Sequence, residues 1–206
     1  VLDLGVVKSS AGSGFVAGQI MQYSLAVRSS QYISSSGITI TDTIPNGLCP
    51  VLPAGVEKTG APWPAECSAA EAGTGTVTGG RMVSVDFDAA TGVFTVVFEV
   101  DDLAPDQDVT VGYSAYMRKS YQEGEPTASG DDFRNTVALA GTTTDAAGTE
   151  SSATNGSSAD LTTSGPSLDK TIWPNASRSP ITGITGAGTT CASGDGEYVS
   201  PAADSL

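Results

Sequence analysis

Residues 37–48 read Gly-Ile-Thr-Ile-Thr-Asp-Thr-Ile-Pro-Asn-Gly-Leu and alternate with a period of two. Ile38, Ile40 and Ile44 share one face, and Thr39, Thr41 and Thr43 the other, as successive side chains do along a β-strand. The next residues, Pro45-Asn46-Gly47, end the strand, because proline cannot continue a ladder and Asn-Gly favours a turn. Asp42 falls on the isoleucine face. A carboxylate aimed into an apolar interior is costly unless it is paired or protonated. The chain must therefore supply something for Asp42 to meet.

Two other stretches place a polar residue on an apolar face. Leu2, Leu4 and Val6 share a face with Lys8, and Phe133, Val137 and Leu139 share one with Asn135. A lysine, an aspartate and an asparagine are thus aimed inward from three strands. Together they are the parts of an intramolecular amide (isopeptide) bond. A lysine amine attacks only when neutral, and burial lowers its pKa. A buried aspartic acid keeps its proton and can donate it in a hydrogen bond to the carboxamide oxygen, after which ammonia leaves. Folding holds the reactants together. Such a reaction occurs once per molecule, so it is self-modification and not enzymatic turnover. A blander alternative stays open: Lys8 reaching outward from a strand end, Asp42 capping the turn before Pro45, and Asn135 bonding exposed backbone.

The rest of the chain repeats the strand pattern. Alternating segments are expected over residues 1–8, 19–28, 81–87, 93–100, 109–117 and 133–141, with a further edge strand over 149–155. Turns are expected at 9–14, 88–92, 101–107 and 145–148. No amphipathic helix of useful length is visible. Roughly eight short strands joined by Gly, Pro and Asp turns predict an all-β fold, an antiparallel Ig-like sandwich occupying residues 1–155. Residues 156–166 are rich in Ser, Thr and Gly and read as a linker or a loose last strand. After them, Leu168, Lys170 and Ile172 share a face as Val6 and Lys8 do, so 167–206 read as the start of a second, similar domain. Lys170 is a candidate for a second crosslink, and the chain reads as a fragment of a longer protein.

Charge and cysteines narrow the function. The chain carries 23 acidic against 9 basic side chains and no histidine, for a formal net charge of −14. Nucleic acid is disfavoured as a partner, as is an anionic membrane surface. The absence of histidine removes His-dependent triads and His-ligated metals, and no Gly-x-Ser-x-Gly elbow occurs. No apolar run of about 18 residues is available to span a bilayer. The acidic pairs Asp101-Asp102 and Asp131-Asp132 read as solvated turn ends without the spacing of a calcium loop. No cofactor or metal is called for. Cys49 and Cys67 bracket a Pro-rich segment within a long loop over 49–80 and read as a disulfide, which implies an oxidising compartment. Cys191 is left over.

Residues 18–27 (Gly-Gln-Ile-Met-Gln-Tyr-Ser-Leu-Ala-Val), the Thr-Asp-Thr-Ile-Pro motif around Asp42, and Asn135-Thr-Val-Ala resemble the conserved-repeat domain of bacterial surface proteins. That domain is similar to the A-type isopeptide domains of Gram-positive adhesins and the D2-type domains of pilins. The resemblance covers roughly residues 1–155 and implies a sandwich repeat in a secreted or wall-attached protein. It implies that Lys8 and Asn135 form the bond and that Asp42 is its acid. The partners implied are neighbouring repeat domains of the same chain. The long insert after Leu48 departs from the family pattern. It supports an alternative function, a ligand-binding adhesin module using Trp63, with Tyr116 and Tyr121 as further aromatic contacts to a host or surface ligand.

Overall fold

The computed structural model describes residues 3–11, 15–60, 62–70 and 75–164. The expectations for Lys170, Cys191 and a second domain over 167–206 lie outside the described residues. The elements in chain order are β1 (Leu4–Ala11), β2 (Ile20–Ser29), β3 (Ser34–Ile44), β4 (Leu48–Pro50), β5 (Glu57–Thr59), α1 (Ala65–Ala70), β6 (Arg81–Asp88), β7 (Val93–Val100), β8 (Asp108–Met117), β9 (Asp132–Thr144) and β10 (Glu150–Thr162). They form two sheets, one ordered β1-β2-β8-β4 and the other β10-β9-β3-β7-β6-β5. The fold is an all-β, Ig-like sandwich. Its ladders are antiparallel except β5 with β6, which is parallel.

The period-two pattern explains the layers. Met21, Tyr23, Leu25 and Val27 from β2 and Val111, Tyr113, Ala115 and Met117 from β8 face Ile38, Ile40 and Ile44 from β3 and Phe94, Val96 and Phe98 from β7. All of these are buried, and the alternate residues on the same strands are mostly half-buried or exposed, with Ser114 of β8 a buried exception. Turn chemistry then sets the corners. Asp88 accepts from Ala90 N (2.9 Å) and Thr91 Oγ1 (2.7 Å), and Gly92 takes the positive φ (74°) that closes the β6–β7 hairpin.

Several boundaries differ from the sequence pattern. β1 continues to Ala11, three residues into the expected turn, because Ser9, Ser10 and Ala11 pair with Ser24, Tyr23 and Gln22. The long loop carries β4, β5 and the short α1. Residues 156–162, expected as a linker or loose strand, belong to a regular strand. β10 pairs with β9 from Glu150↔Thr144 to Thr162↔Asp132 and buries Ala159 and Leu161. An edge strand needs few apolar residues, so its Ser/Thr/Gly content carries little β signal. β10 also flanks β1: Val6 N donates to Asn155 Oδ1 (3.2 Å) and Lys8 N to Ser157 Oγ (3.0 Å).

Candidate functional site: a buried lysine, aspartate, tyrosine and asparagine

Five side chains converge between the sheets. Lys8 (β1), Tyr23 (β2) and Tyr113 (β8) come from the four-stranded sheet, and Asp42 (β3) and Asn135 (β9) from the six-stranded one. Register places them. Tyr23 is directly opposite Tyr113, and Lys8 is opposite Leu25, two residues from Tyr23 on the same face. Asp42 is opposite Val137, so Asn135 lies diagonally across from Asp42 on the shared face. Lys8, Asp42 and Asn135 are at most 4% exposed, and the side chains of Lys8 and Asp42 are fully enclosed.

The Tyr113 hydroxyl is the hub. It donates to Asp42 Oδ2. It lies 3.1 Å from Lys8 Nζ and 3.0 Å from Asn135 Nδ2, both of which donate to it. Lys8 Nζ also donates to Asp42 Oδ1 in a buried ion pair. The two nitrogens share one hydroxyl partner, so they are no more than about 6 Å apart. The ammonium lies over the rings of Tyr23 (4.9 Å) and Tyr113 (5.5 Å), which are stacked with centroids 5.3 Å apart.

Burial governs the protonation of the cluster. It pulls Lys8 down from 10.5 to about 8, with Asp42 opposing through charge and hydrogen bonding. Burial likewise raises Asp42 above its ordinary 3.8, against the pull of Lys8 and Tyr113. Both shifts favour the neutral forms, amine and carboxylic acid, and moving one proton from Lys8 to Asp42 leaves the net charge unchanged. Tyr23 is pushed to about 12 and Tyr113 well above 10, again mainly by burial, so both phenols stay protonated.

Two buried polar atoms of the cluster lack a hydrogen bond, Asn135 Oδ1 and the Tyr23 hydroxyl. The Tyr23 hydroxyl lies beside the Asn135 carboxamide without making a bond of normal geometry to it. An unsatisfied buried polar atom costs about 1–3 kcal/mol, so this arrangement would be a poor choice for stability alone. The expected hydrogen bond from Asp42 to the Asn135 oxygen is not among those formed. Asp42 is occupied by Lys8 and Tyr113, and the Tyr113 hydroxyl stands between Asp42 and the carboxamide. Sequence reasoning placed Tyr113 only among the inward residues of its strand. A buried tyrosine ordinarily reads as core, and nothing local announces what its hydroxyl meets.

The other sequence candidates lie elsewhere. Cys49 and Cys67 form a disulfide with Cα atoms 5.4 Å apart, tying β4 to α1. Trp63 is half-buried, donates its indole N–H to Thr59 O (2.8 Å), and packs against Phe94 (5.0 Å) and Phe87 (6.5 Å). Tyr121 stacks on Phe133 and donates to Asp131 Oδ2 (2.7 Å), while Tyr116 is a half-buried residue of β8. Among the described residues, no group of three or more His, Cys, Asp or Glu is placed to hold a metal ion. No helix among them is long and apolar enough to cross a membrane.

An Ig-like β-sandwich with an amine, an acid, a phenol and a carboxamide enclosed between its sheets is the class that fold and site define. No family model matches the chain, and no curated protein does. Solved structures similar to it include AvmM, which catalyzes macrocyclization in alchivemycin A biosynthesis, at 11% identity and TM-score 0.44 over 81% of this chain and 92% of that one. BcpA, the major pilin subunit of Bacillus cereus, is similar at 10% identity and TM-score 0.37 over 77% of this chain and 40% of that one. ACE19, the collagen binding subdomain of the Enterococcus faecalis surface protein ACE, is similar at 14% identity and TM-score 0.31 over 77% and 97%.

Proposed function

We propose that this chain is a load-bearing stalk or fibre domain of a bacterial cell-surface protein, in which Lys8 and Asn135 join in an autocatalytic isopeptide bond with Asp42 as the acid. The observation that carries this reading is the meeting of a buried lysine amine and a buried carboxamide, one from each sheet, on a single hydroxyl beside a buried carboxyl group. The unsatisfied carboxamide oxygen fits a ground state held for reaction. A bond between these residues closes a loop of roughly 130 residues and, by loop-entropy reasoning, adds about 5 kcal/mol to stability. The Cys49–Cys67 disulfide fits an oxidising, extracellular setting. Neighbouring repeat domains of the same chain are the partners this role requires.

The alternative, an adhesin module that binds its ligand through the 49–80 loop, has less support. The Trp63 ring is occupied by Phe87 and Phe94 and its N–H by Thr59, which accounts for the residue as packing. Intact-mass measurement decides the main reading. One ammonia lost lowers the mass by about 17 Da after disulfides are allowed for, and the loss disappears in Lys8→Ala and in Asn135→Ala. A wild-type mass equal to that of the plain sequence, less only disulfide hydrogens, removes the crosslink.

A further inference from the structure

We infer that Tyr113 is a catalytic residue of the crosslinking reaction, its hydroxyl carrying a proton from the attacking Lys8 nitrogen to the departing Asn135 nitrogen. This rests on the isopeptide reading above and deepens it. The geometry is direct: the same oxygen lies 3.1 Å from Lys8 Nζ and 3.0 Å from Asn135 Nδ2. Those are the two nitrogens between which a proton has to pass.

Proton accounting shows why a shuttle is needed. The ion pair starts with three protons on Lys8 Nζ and none on Asp42. One proton moves from Nζ to Asp42 Oδ1, leaving a neutral amine and a carboxylic acid. The Nζ lone pair then attacks Asn135 Cγ, a C–N bond forms, and the carbonyl electron pair moves to Oδ1. Nζ now carries a positive charge and one proton too many, whereas Nδ2 needs a third proton to leave as ammonia. In the planar carboxamide the Nδ2 lone pair is delocalised, so that nitrogen only donates, as it does here to Tyr113. Once Cγ is tetrahedral the lone pair localises and accepts. The Tyr113 hydroxyl proton turns from Asp42 to Nδ2 while its oxygen takes the surplus proton from Nζ. The Cγ–Nδ2 bond breaks, the carbonyl re-forms and ammonia departs. Tyr113 ends as it began, Asp42 ends protonated, and no external acid or base is consumed. A direct Nζ-to-Nδ2 transfer would need a strained four-membered ring, and Asp42 has no hydrogen bond to the leaving nitrogen.

Asp42 acts on the first proton and Tyr113 on the second, which separates their roles. Tyr113 is suited to this work because its ring is fixed on both sides, stacked on Tyr23 and tilted against Phe98 with centroids 5.2 Å apart. A phenol that stays protonated at rest has a proton to give and recovers one in the same step.

Tyr113→Phe keeps the ring and removes the oxygen. Wild type and variant are made by cell-free synthesis and the loss of about 17 Da is followed by intact mass against time, with folding checked by near-ultraviolet circular dichroism. The expected result is crosslinking at least 100-fold slower in a folded variant. Equal rates in wild type and Tyr113→Phe overturn the shuttle while leaving the isopeptide reading intact. No mass loss in wild type overturns both. If the Phe variant does not fold, 3,5-difluorotyrosine at position 113 keeps ring, hydroxyl and packing while making the phenol a stronger acid. A changed pH profile of the crosslinking rate is then expected, and a profile identical to wild type rejects the shuttle.

Discussion

Asp42 and Lys8 show how much depends on which residues share an enclosed space. A buried ion pair is a modest contributor while intact, but removing one member leaves the other charge stranded. Asp42→Ala is therefore expected to cost about 3–5 kcal/mol in chemical denaturation, as well as abolishing the mass loss. The pH dependence of a non-reacting variant, Asn135→Ala, tests the same burial differently. Lys8 titrates at about 8 when folded and at 10.5 when unfolded, so between these values the unfolded chain binds more protons. Through Lys8, stability then rises with pH from about 8, while the raised Asp42 carboxyl opposes it, its contribution being lost as pH rises through its folded value. Above pH 10 the sign reverses, because unfolded phenols ionise at 10.0 while Tyr23 and Tyr121 are held at about 12 and Tyr113 well above 10. Their contribution is present below pH 10 and is lost as pH rises through the folded values. With Asp42→Asn added to Asn135→Ala to remove the opposing carboxyl, a stability maximum near pH 10 in thermal melts is the expected outcome; a decline from pH 8 to 10 contradicts the assigned burial of Lys8. Lys8, Asp42 and Asn135 were legible in the sequence because period-two alternation exposes any polar residue on an apolar face. Tyr113 was not, because its hydroxyl rides on a ring that belongs in the core anyway.

At the scale of elements, the segment from Gly47 to α1 fixes the end of the sandwich nearest β4. Gly47 has φ +96°, and a Cβ there would stand 2.5 Å from Phe133 Cε1, on a buried ring that stacks with Tyr121. Gly47→Ala combines backbone strain with a clash and is expected to lower stability by about 2 kcal/mol or more. Beyond it, the disulfide joins β4 to α1, with an 18-residue separation that gives about 3 kcal/mol by chain entropy. The double variant Cys49→Ala/Cys67→Ala should lose that amount in urea titrations. A loss below about 1 kcal/mol would mean that the segment holds its place without the bridge. The strands with a full apolar face could be read directly from the sequence. β5, with three exposed residues, could not, and β10, whose described buried residues are Ala159 and Leu161, could be read only over its first half, 149–155, since each depends on a neighbouring strand for its definition.

At the scale of the whole molecule, the first and last described strands run side by side and parallel. Val6 and Lys8 contact Asn155 and Ser157 in the same order, and Phe15 bridges Thr163 in parallel. Chain entering along β1 and chain leaving along β10 therefore meet the sandwich at opposite ends, and tension between them loads the two strands in shear. Without a covalent link, β1 is held by its ladder to β2, the two bonds to β10 and the buried cluster. Once these yield, the chain between Lys8 and Asn135 can extend, apart from the span closed by the Cys49–Cys67 disulfide. A Lys8–Asn135 bond removes that route: force passes from β1 straight to β9, and the roughly 130 residues between them carry none of it. Only the chain after Asn135, including the β9–β10 hairpin, stays extensible. Pulling single molecules by their ends separates the two cases. Lys8→Ala should release about 380 Å more contour length than wild type, at about 3.5 Å per residue for the enclosed loop less the 18-residue span locked by the Cys49–Cys67 disulfide. Equal release in both proteins would show that the loop is open and that the domain bears load through hydrogen bonds alone.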